Sequence, residues 1–317
     1  MSTPRRLVIV NQLDADFGRR VAEHPSRPVV FDDPSPQKPW KITPKADILV
    51  TRGLAEWAMT PSGHTFDETL KWVQVLSTGI ETYPPCLMAD RLVTCGRGLN
   101  ALPIAEFVFA AMLRVERRLE ETRARRATDW QAQHAIGRLH GRTLGLIGYG
   151  SIGRAVAKRA LAFDMPIVVN RRSPWQGEDG IAVVADPAEV FAVADHVVIA
   201  APFTAQTEGL VDSTMLAAAK PGLHLINISR GGLVDQDALL DALDSGRIGH
   251  ATLDVTMPEP LPDGHPLYGC DNVFVSPHIS WQGGTGNAGF ADRFLANLDA
   301  WLSGASLEGV VDPVRGY

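Results

Sequence analysis

A chain of 317 residues, 45% of them hydrophobic and 21% charged, has ordinary globular composition and is long enough for two domains with cores of their own. The formal net charge of −6 disfavours a general nucleic-acid or membrane-surface role, and no apolar run approaches the roughly 20 residues needed to span a bilayer. Cys86, Cys95 and Cys270 lack metal-ligand spacing and cannot all pair with one another, so free thiols, a reducing cytoplasmic compartment and no metal site are expected.

The first apolar run, Leu7–Val10, is short and gives way to polar residues, which predicts a strand rather than a signal peptide. Val29–Phe31, Ile48–Val50, Trp72–Leu76 and Leu92–Thr94 follow at strand length. Turn-rich or helix-compatible segments separate them, as in an open, mostly parallel sheet. The proline-rich stretch Asp32–Trp40 reads as a surface loop. Asn100 is a candidate cap for a long helix whose apolar face comprises Ile104, Phe107, Val108, Ala111, Met112, Val115 and Leu119. The other face and the tail "RVERRLEETRARRATDW" are charged, and read either as a solvated face or as a subunit contact.

From Leu144 onward six strands are predicted: Leu144–Ile147, Ile167–Val169, Val197–Ala200, Leu225–Ile228, Ala251–Val255 and Val273–Ser276. Such a series matches a doubly wound dinucleotide domain. A last amphipathic stretch, Phe290–Leu302, is placed to cross back to the first domain.

Gly148-Tyr149-Gly150-Ser151-Ile152-Gly153 fits G-x-G-x-x-G between an apolar strand and a helix-compatible run. Gly148 permits a tight turn, Gly150 admits the pyrophosphate, and Gly153 lets helix and strand pack closely. The free N–H groups of the helix start face the phosphates. Where an acidic residue would hold the adenosine ribose of NAD, the second strand ends in Asn170-Arg171-Arg172. Guanidinium groups pair with phosphate in bidentate fashion, so NADP(H) is the preferred cofactor on this reading, with NAD(H) possible. The other reading leaves both arginines solvated at a surface turn.

Three later segments each follow a predicted strand: "NISRGGLVD" (227–235), "LDVTMPEPLP" (253–262) and "SPHIS" (276–280). They supply Arg230, Glu259 and His278, a set suited to hydride transfer to a 2-keto acid. Arg230 can grip the substrate carboxylate and polarise the ketone. His278 can give a proton to the forming alkoxide or take it back, because imidazole exchanges protons near neutrality. Glu259 can hydrogen-bond His278 and orient its ring.

On these residues, and on "LKWVQVLSTGIE", "GRGLNALPIAEF", "APFTAQTEGLV", "KPGLHLINISRGGLVDQDALLDAL" and "HATLDVTMPEPLPDGHPL", the sequence resembles the D-isomer-specific 2-hydroxyacid dehydrogenases over most of its length. The resemblance implies two doubly wound, Rossmann-like α/β domains with parallel sheets. A dinucleotide-binding domain (101–283) is inserted into a discontinuous substrate domain (1–100 and 284–317). It implies catalytic roles for Arg230, Glu259 and His278, an Asp254 contact to the nicotinamide carboxamide, and cofactor contacts from Pro202 and Thr207. Thr78 and Gly79 would bind the substrate carboxylate through backbone N–H groups. A homodimer joined through the cofactor domain is expected.

Most of the family carries an acidic residue at the position of Asn170. The "NRRSP" version looks like the NADPH-using glyoxylate/hydroxypyruvate reductases, which points to reduction of a small 2-keto acid. Trp281, three residues after His278, either walls the substrate pocket or packs structurally. Arg52 and Arg97 are further pocket-rim candidates or plain loop cations. A tryptophan at that offset also occurs in the C-terminal-binding-protein corepressors, so a dinucleotide-sensing binding protein is the alternative of another class. An NAD-linked phosphite or formate dehydrogenase is the alternative within the enzymes.

Overall fold

Ile48, Leu49, Val50 and Thr51 are all buried, as a strand covered by other elements on both faces must be. The structure, a computed structural model, describes residues 5–284, 286–312 and 315. The chain divides into two units, Met1–Leu99 with Gly283–Tyr317, and Asn100–Gln282.

The first unit holds β1 (Val8–Asn11), α1 (Ala15–Ala22), β2 (Val29–Asp32), β3 (Ile48–Thr51), β4 (Trp72–Val75), α2 (Pro85–Met88) and β5 (Leu92–Cys95). Its five strands run parallel in the order β2-β1-β3-β4-β5. Asp14 caps α1 by accepting from Phe17 N. One face of the sheet (Ile9, Ile48, Val50, Trp72) is covered by Phe17 and by Phe290, Phe294 and Leu298 of the last helix, Gly286–Ser303. Phe294 stacks on Trp72 at 5.1 Å between ring centroids. Val10, Leu49 and Val73 face the other way, against Trp40, Trp57, Phe66 and Leu87. The amphipathic C-terminal stretch therefore does return to the N-terminal sheet.

The second unit begins with α3 (Ala101–Arg117), followed by β6 (Leu144–Ile147), α4 (Ser151–Ala162), β7 (Ile167–Asn170), β8 (Ile181–Val184), α5 (Pro187–Val193) and β9 (His196–Ile199). It continues with α6 (Ser213–Ala217), β10 (Leu223–Asn227), α7 (Gln236–Asp244), β11 (Ile248–Leu253) and β12 (Val273–Val275). The parallel order β12-β11-β10-β9-β6-β7-β8 reverses direction between β6 and β9, the switch point at which doubly wound sheets bind ligands. Ile104, Val108, Met112, Val156 and Ala160 of α3 and α4 pack one face. Val190, Phe191, Leu216 and Leu239 of α5 to α7 pack the other.

The expected doubly wound α/β architecture is present in both units, with three corrections. This sheet has seven strands rather than six: β8 was missed, because it is a short edge strand with only Ile181 buried and so carries a weak apolar signal. Asn100 occupies the N-cap position of α3, but its side chain makes no capping hydrogen bond. Leu119 lies beyond the helix, which ends at Arg118 in a left-handed conformation (φ 49°), and is exposed. Among the described residues no helix is long and apolar enough to cross a membrane.

Candidate active site

The carboxyl edge of the seven-stranded sheet collects the chemistry. At the switch point, Gly148 follows β6 with φ 101°, and a Cβ there would lie 2.7 Å from Ala201 N. Only glycine fits both demands. A Cβ on Gly153 would meet Gly148 O at 2.6 Å, so the turn and α4 are in direct backbone contact. A Cβ on Gly150 would meet nothing within 4 Å. Gly150 is also the N-cap of α4 and brings no side chain to it. The first N–H groups of α4 thus stand without a side-chain cap beside open space, which fits a dinucleotide pyrophosphate.

Around this turn, Asn170 ends β7 with its amide Nδ2 donating to Val184 O (3.2 Å) and Ala185 O (2.8 Å). Arg171 is half-buried and Arg172 exposed. Arg172 Nη1 reaches Gln206 Oε1 at 3.5 Å, linking the loop after β7 to the loop after β9. In that second loop Thr207 Oγ1 donates to Pro202 O (2.7 Å) and closes the turn. Tyr149 stacks on Trp175 with ring centroids 4.5 Å apart and 19° between planes, and its hydroxyl donates to Glu178 at 2.8 Å. Burial first, and then the Glu178 carboxylate, push the Tyr149 phenol up to about 12. Sequence reasoning missed Trp175 and Glu178. The available signal was an aromatic residue in an otherwise polar, glycine-bearing loop.

Arg230, Glu259 and His278 follow β10, β11 and β12, three neighbouring strands. His278 Nδ1 lies 2.6 Å from Glu259 Oε1, with both side chains partly open to solvent. A carboxylate only accepts, so in this contact Nδ1 is the ring nitrogen that carries the shared proton. The loop that carries His278 is held by Asp254, which is only 1% exposed. The Asp254 carboxylate accepts from Ser276 Oγ (2.6 Å), Ile279 N (2.9 Å) and Ser280 N (3.0 Å). Three donors satisfy a charge that would otherwise be costly to bury. His278 itself adopts φ 53°. A β-carbon-bearing residue holds that conformation only under constraint, and the donors from both sides of His278 supply it.

Asn227, at the end of β10, shapes the arginine loop. Its Oδ1 accepts from Ser229 N (3.1 Å), and its Nδ2 donates to Arg230 O (2.9 Å). Arg230 Nη1 donates to Ser229 O at 2.7 Å. A Cβ on Gly231 would overlap Thr256 C at 2.0 Å, so the Arg230 turn lies directly on the loop that leads to Glu259. That loop is tied to α7 by a reciprocal pair, Gln236 Nε2 to Met257 O (2.6 Å) and Met257 N to Gln236 Oε1 (2.9 Å).

Trp281 is 46% exposed, and its indole N–H donates to the His278 carbonyl at 2.8 Å. Thr78, Gly79, Arg52 and Arg97 belong to the other unit. There they follow β4, β3 and β5 at the carboxyl edge of the five-stranded sheet. Ser77 Oγ donates to Gly79 O (2.7 Å) and curls the loop that bears Thr78. Arg52 Nη2 donates to Pro34 O at 3.1 Å.

Residues 109–280 match the family described as D-isomer specific 2-hydroxyacid dehydrogenase, NAD binding domain. A glyoxylate/hydroxypyruvate reductase B of Pectobacterium atrosepticum is 39% identical over 256 residues, 77% of this chain and 79% of that protein. A glycerate dehydrogenase of Methylorubrum extorquens is 30% identical over 253 residues, 74% of this chain and 77% of that protein. The crystal structure of a D-isomer specific 2-hydroxyacid dehydrogenase of Xanthobacter autotrophicus, in complex with NADPH and MES, superposes with a TM-score of 0.78. Its identity is 27%, over 99% of this chain and all of that one. With a dinucleotide-type turn, three strand ends bearing Arg, Glu and His, and these relatives, the chain belongs to the D-isomer specific 2-hydroxyacid dehydrogenase family.

Proposed function

We propose that the protein is an NADPH-preferring reductase of a small 2-keto acid, such as glyoxylate or hydroxypyruvate, running in reverse as a 2-hydroxyacid dehydrogenase. The observation that carries this reading is the 2.6 Å contact between His278 Nδ1 and Glu259 Oε1, on strands next to the one that delivers Arg230.

When bound along Gly148 to Gly153, a nicotinamide cofactor would supply the hydride. Arg230 pairs with the substrate carboxylate and polarises the ketone oxygen. His278 donates a proton from Nε2 to that oxygen as charge develops on it, and Glu259 orients the ring through Nδ1. Asp254 sets the position of His278, in addition to the carboxamide contact that family membership suggests. The unit Asn100–Gln282 takes the cofactor through Gly148 to Gly153, Pro202 and Thr207.

Two features support the preference for NADPH. Asn170 brings no charge to the ribose position, and its amide is committed to the Val184 and Ala185 carbonyls, while Arg171 and Arg172 follow directly. A relative sharing the fold is described with NADPH bound. Members named for glyoxylate and hydroxypyruvate reduction support the substrate class. We also place a homodimer contact on the stretch after α3, where Leu119, Trp130 and Ile136 are exposed.

Initial rates with glyoxylate, hydroxypyruvate, pyruvate and phenylpyruvate, each with NADPH and NADH, test the reading. Turnover of a small 2-keto acid with NADPH favoured is the expected result. No turnover of any 2-keto acid with either cofactor would reject it.

A further inference from the structure

The loop between β7 and β8 is mostly exposed, yet two of its residues reach back to the glycine turn. Trp175 stacks on Tyr149 (4.5 Å, 19°), and Glu178 accepts from the Tyr149 hydroxyl (2.8 Å). Tyr149 is 7% exposed and lies inside the G-x-G-x-x-G turn. Arg171 Cζ lies 5.6 Å from the Trp175 ring centroid. Arg154, in the first turns of α4, lies 5.8 Å from the Tyr149 centroid. Four planar groups are therefore linked in series: Arg154, Tyr149, Trp175 and Arg171.

We infer that Trp175, braced by Tyr149, is a positioning residue that presents the Arg171 guanidinium to the 2′-phosphate of NADP(H). Cofactor choice then depends on an aromatic platform as well as on the cation. The inference rests on the NADPH reading above and extends it to residues outside the Asn170-Arg171-Arg172 run.

The physical argument is one of pre-organisation. A free arginine at a loop surface loses most of its rotamer freedom when it grips a phosphate, and that loss opposes binding. A guanidinium already resting against an aromatic face has lost part of that freedom before the ligand arrives, and the contact leaves its N–H edge available for bidentate pairing. The stack also joins the segment that receives the pyrophosphate to the segment that meets the adenosine ribose. The benefit is selective, because a ligand without the 2′-phosphate gains nothing from where Arg171 is held.

The test uses the full chain and four variants: Trp175→Ala, Trp175→Phe, Arg171→Ala and the double variant Trp175→Ala/Arg171→Ala. Calorimetry gives the Kd of adenosine 2′,5′-bisphosphate and of ADP, and steady-state kinetics give kcat/KM with NADPH and NADH. Trp175→Ala is expected to weaken the bisphosphate on the order of fivefold, with ADP affinity and kcat nearly unchanged. Trp175→Phe restores most of the loss, and Trp175→Ala adds nothing once Arg171 is absent. Equal weakening of both ligands, or an additive effect in the double variant, would overturn the positioning role. A bisphosphate-to-ADP preference unchanged by Arg171→Ala alone would likewise overturn the positioning role, whereas a parent chain with no such preference is a separate outcome that would overturn the NADPH reading itself.

Discussion

Asp254 holds His278 through its backbone carbonyl, and the residues on either side of His278 through its carboxylate. The N–H of His278 donates to the Asp254 carbonyl at 3.0 Å, and the Asp254 carboxylate takes the N–H groups of the next two residues, Ile279 and Ser280. One buried carboxylate on the end of β11 thus sets the position of an imidazole on the loop after β12. The third donor, Ser276 Oγ at 2.6 Å, holds the other side of the same loop. The His278–Glu259 contact depends on this arrangement, because a residue at φ 53° relaxes once its constraints go.

Asp254→Asn keeps the size of the side chain but leaves one oxygen where three donors need two. The expected result is a fall in kcat of about 10- to 100-fold, since small misplacement of a catalytic group is costly, with a smaller change in the cofactor Kd. Steady-state kinetics alongside calorimetric cofactor binding check it. Normal turnover in this variant would show that the loop holds His278 without the carboxylate.

On the proposed reading, His278 transfers the proton and Glu259 orients its ring. His278→Ala should lower kcat by about 10²- to 10⁴-fold, with KM for NADPH within a few-fold of the parent. Glu259→Gln retains a hydrogen-bonding group but no charge, so its loss of kcat should be smaller, about 10- to 100-fold. Near-normal turnover in His278→Ala would remove the acid/base assignment.

Arg230 is placed by the Asn227 side chain, which holds the loop on either side of Ser229. Arg230→Lys keeps the charge and loses the planar fork, so kcat/KM for the keto acid should fall by about 100-fold or more. The matched kinetic comparison is with Asn227→Ala. It leaves the guanidinium intact but releases the loop, and should give a partial loss in the same parameter.

Much of this arrangement was legible because it is local. G-x-G-x-x-G is contiguous, and Arg230, Glu259 and His278 each sit a few residues beyond an apolar strand. What escaped was non-local or weakly patterned. β8 carries one buried residue, so its run did not stand out. Trp175 and Glu178 gain meaning only through Tyr149, more than 20 residues earlier in the chain. Asp254 has an evident position, but its hold on the histidine loop emerges only when β11 and β12 pair. The charged stretch after α3 stayed ambiguous between solvent and subunit contact, because sequence alone does not show that Trp130 is 84% exposed.

That stretch yields a prediction about assembly. The short helical turn Ala127–Gln131 has no buried residue, and Leu119 and Ile136 are exposed on either side of it. On the homodimer proposed above, Trp130, at 84% exposed, is the side chain of this stretch offered most openly to a second copy. Sedimentation should give a dimer for the parent chain and a shift toward monomer for Trp130→Ser. A monomeric parent would return the stretch to the solvated reading.

The last prediction concerns acid stability and rests on a row of histidines far from the catalytic edge. His196, His224 and His250 lie in register on β9, β10 and β11. His224 Nδ1 stands 3.1 Å from His196 Nδ1, and its Nε2 stands 3.0 Å from Thr252 Oγ1. His196 Nε2 lies 3.3 Å from Glu116 Oε1, and Arg142 Nε lies 3.3 Å from the same oxygen. Burial first, and then the neighbouring His196 and His250, hold His224 well below 6.5. His250 is shifted the same way, by burial and by Arg114. Burial opposes ionisation of Glu116, but His196 and Arg142 outweigh it and leave its carboxyl below 4.5. The unfolded chain therefore binds protons at the His224 and His250 positions as pH falls through 6.5 while the folded chain resists it, so stability drops from there downward. The Glu116 contribution is present above 4.5 and is lost as pH falls further, through its lower folded value. Thermal unfolding between pH 8 and 4 should show a plateau above about pH 7 and a declining Tm below it. His224→Asn should lower the plateau by about 1–3 kcal/mol, because the His196 and Thr252 partners are left poorly satisfied. The same variant should flatten the decline between pH 7 and 5. An unchanged slope in that window would show that the acid sensitivity resides in other groups.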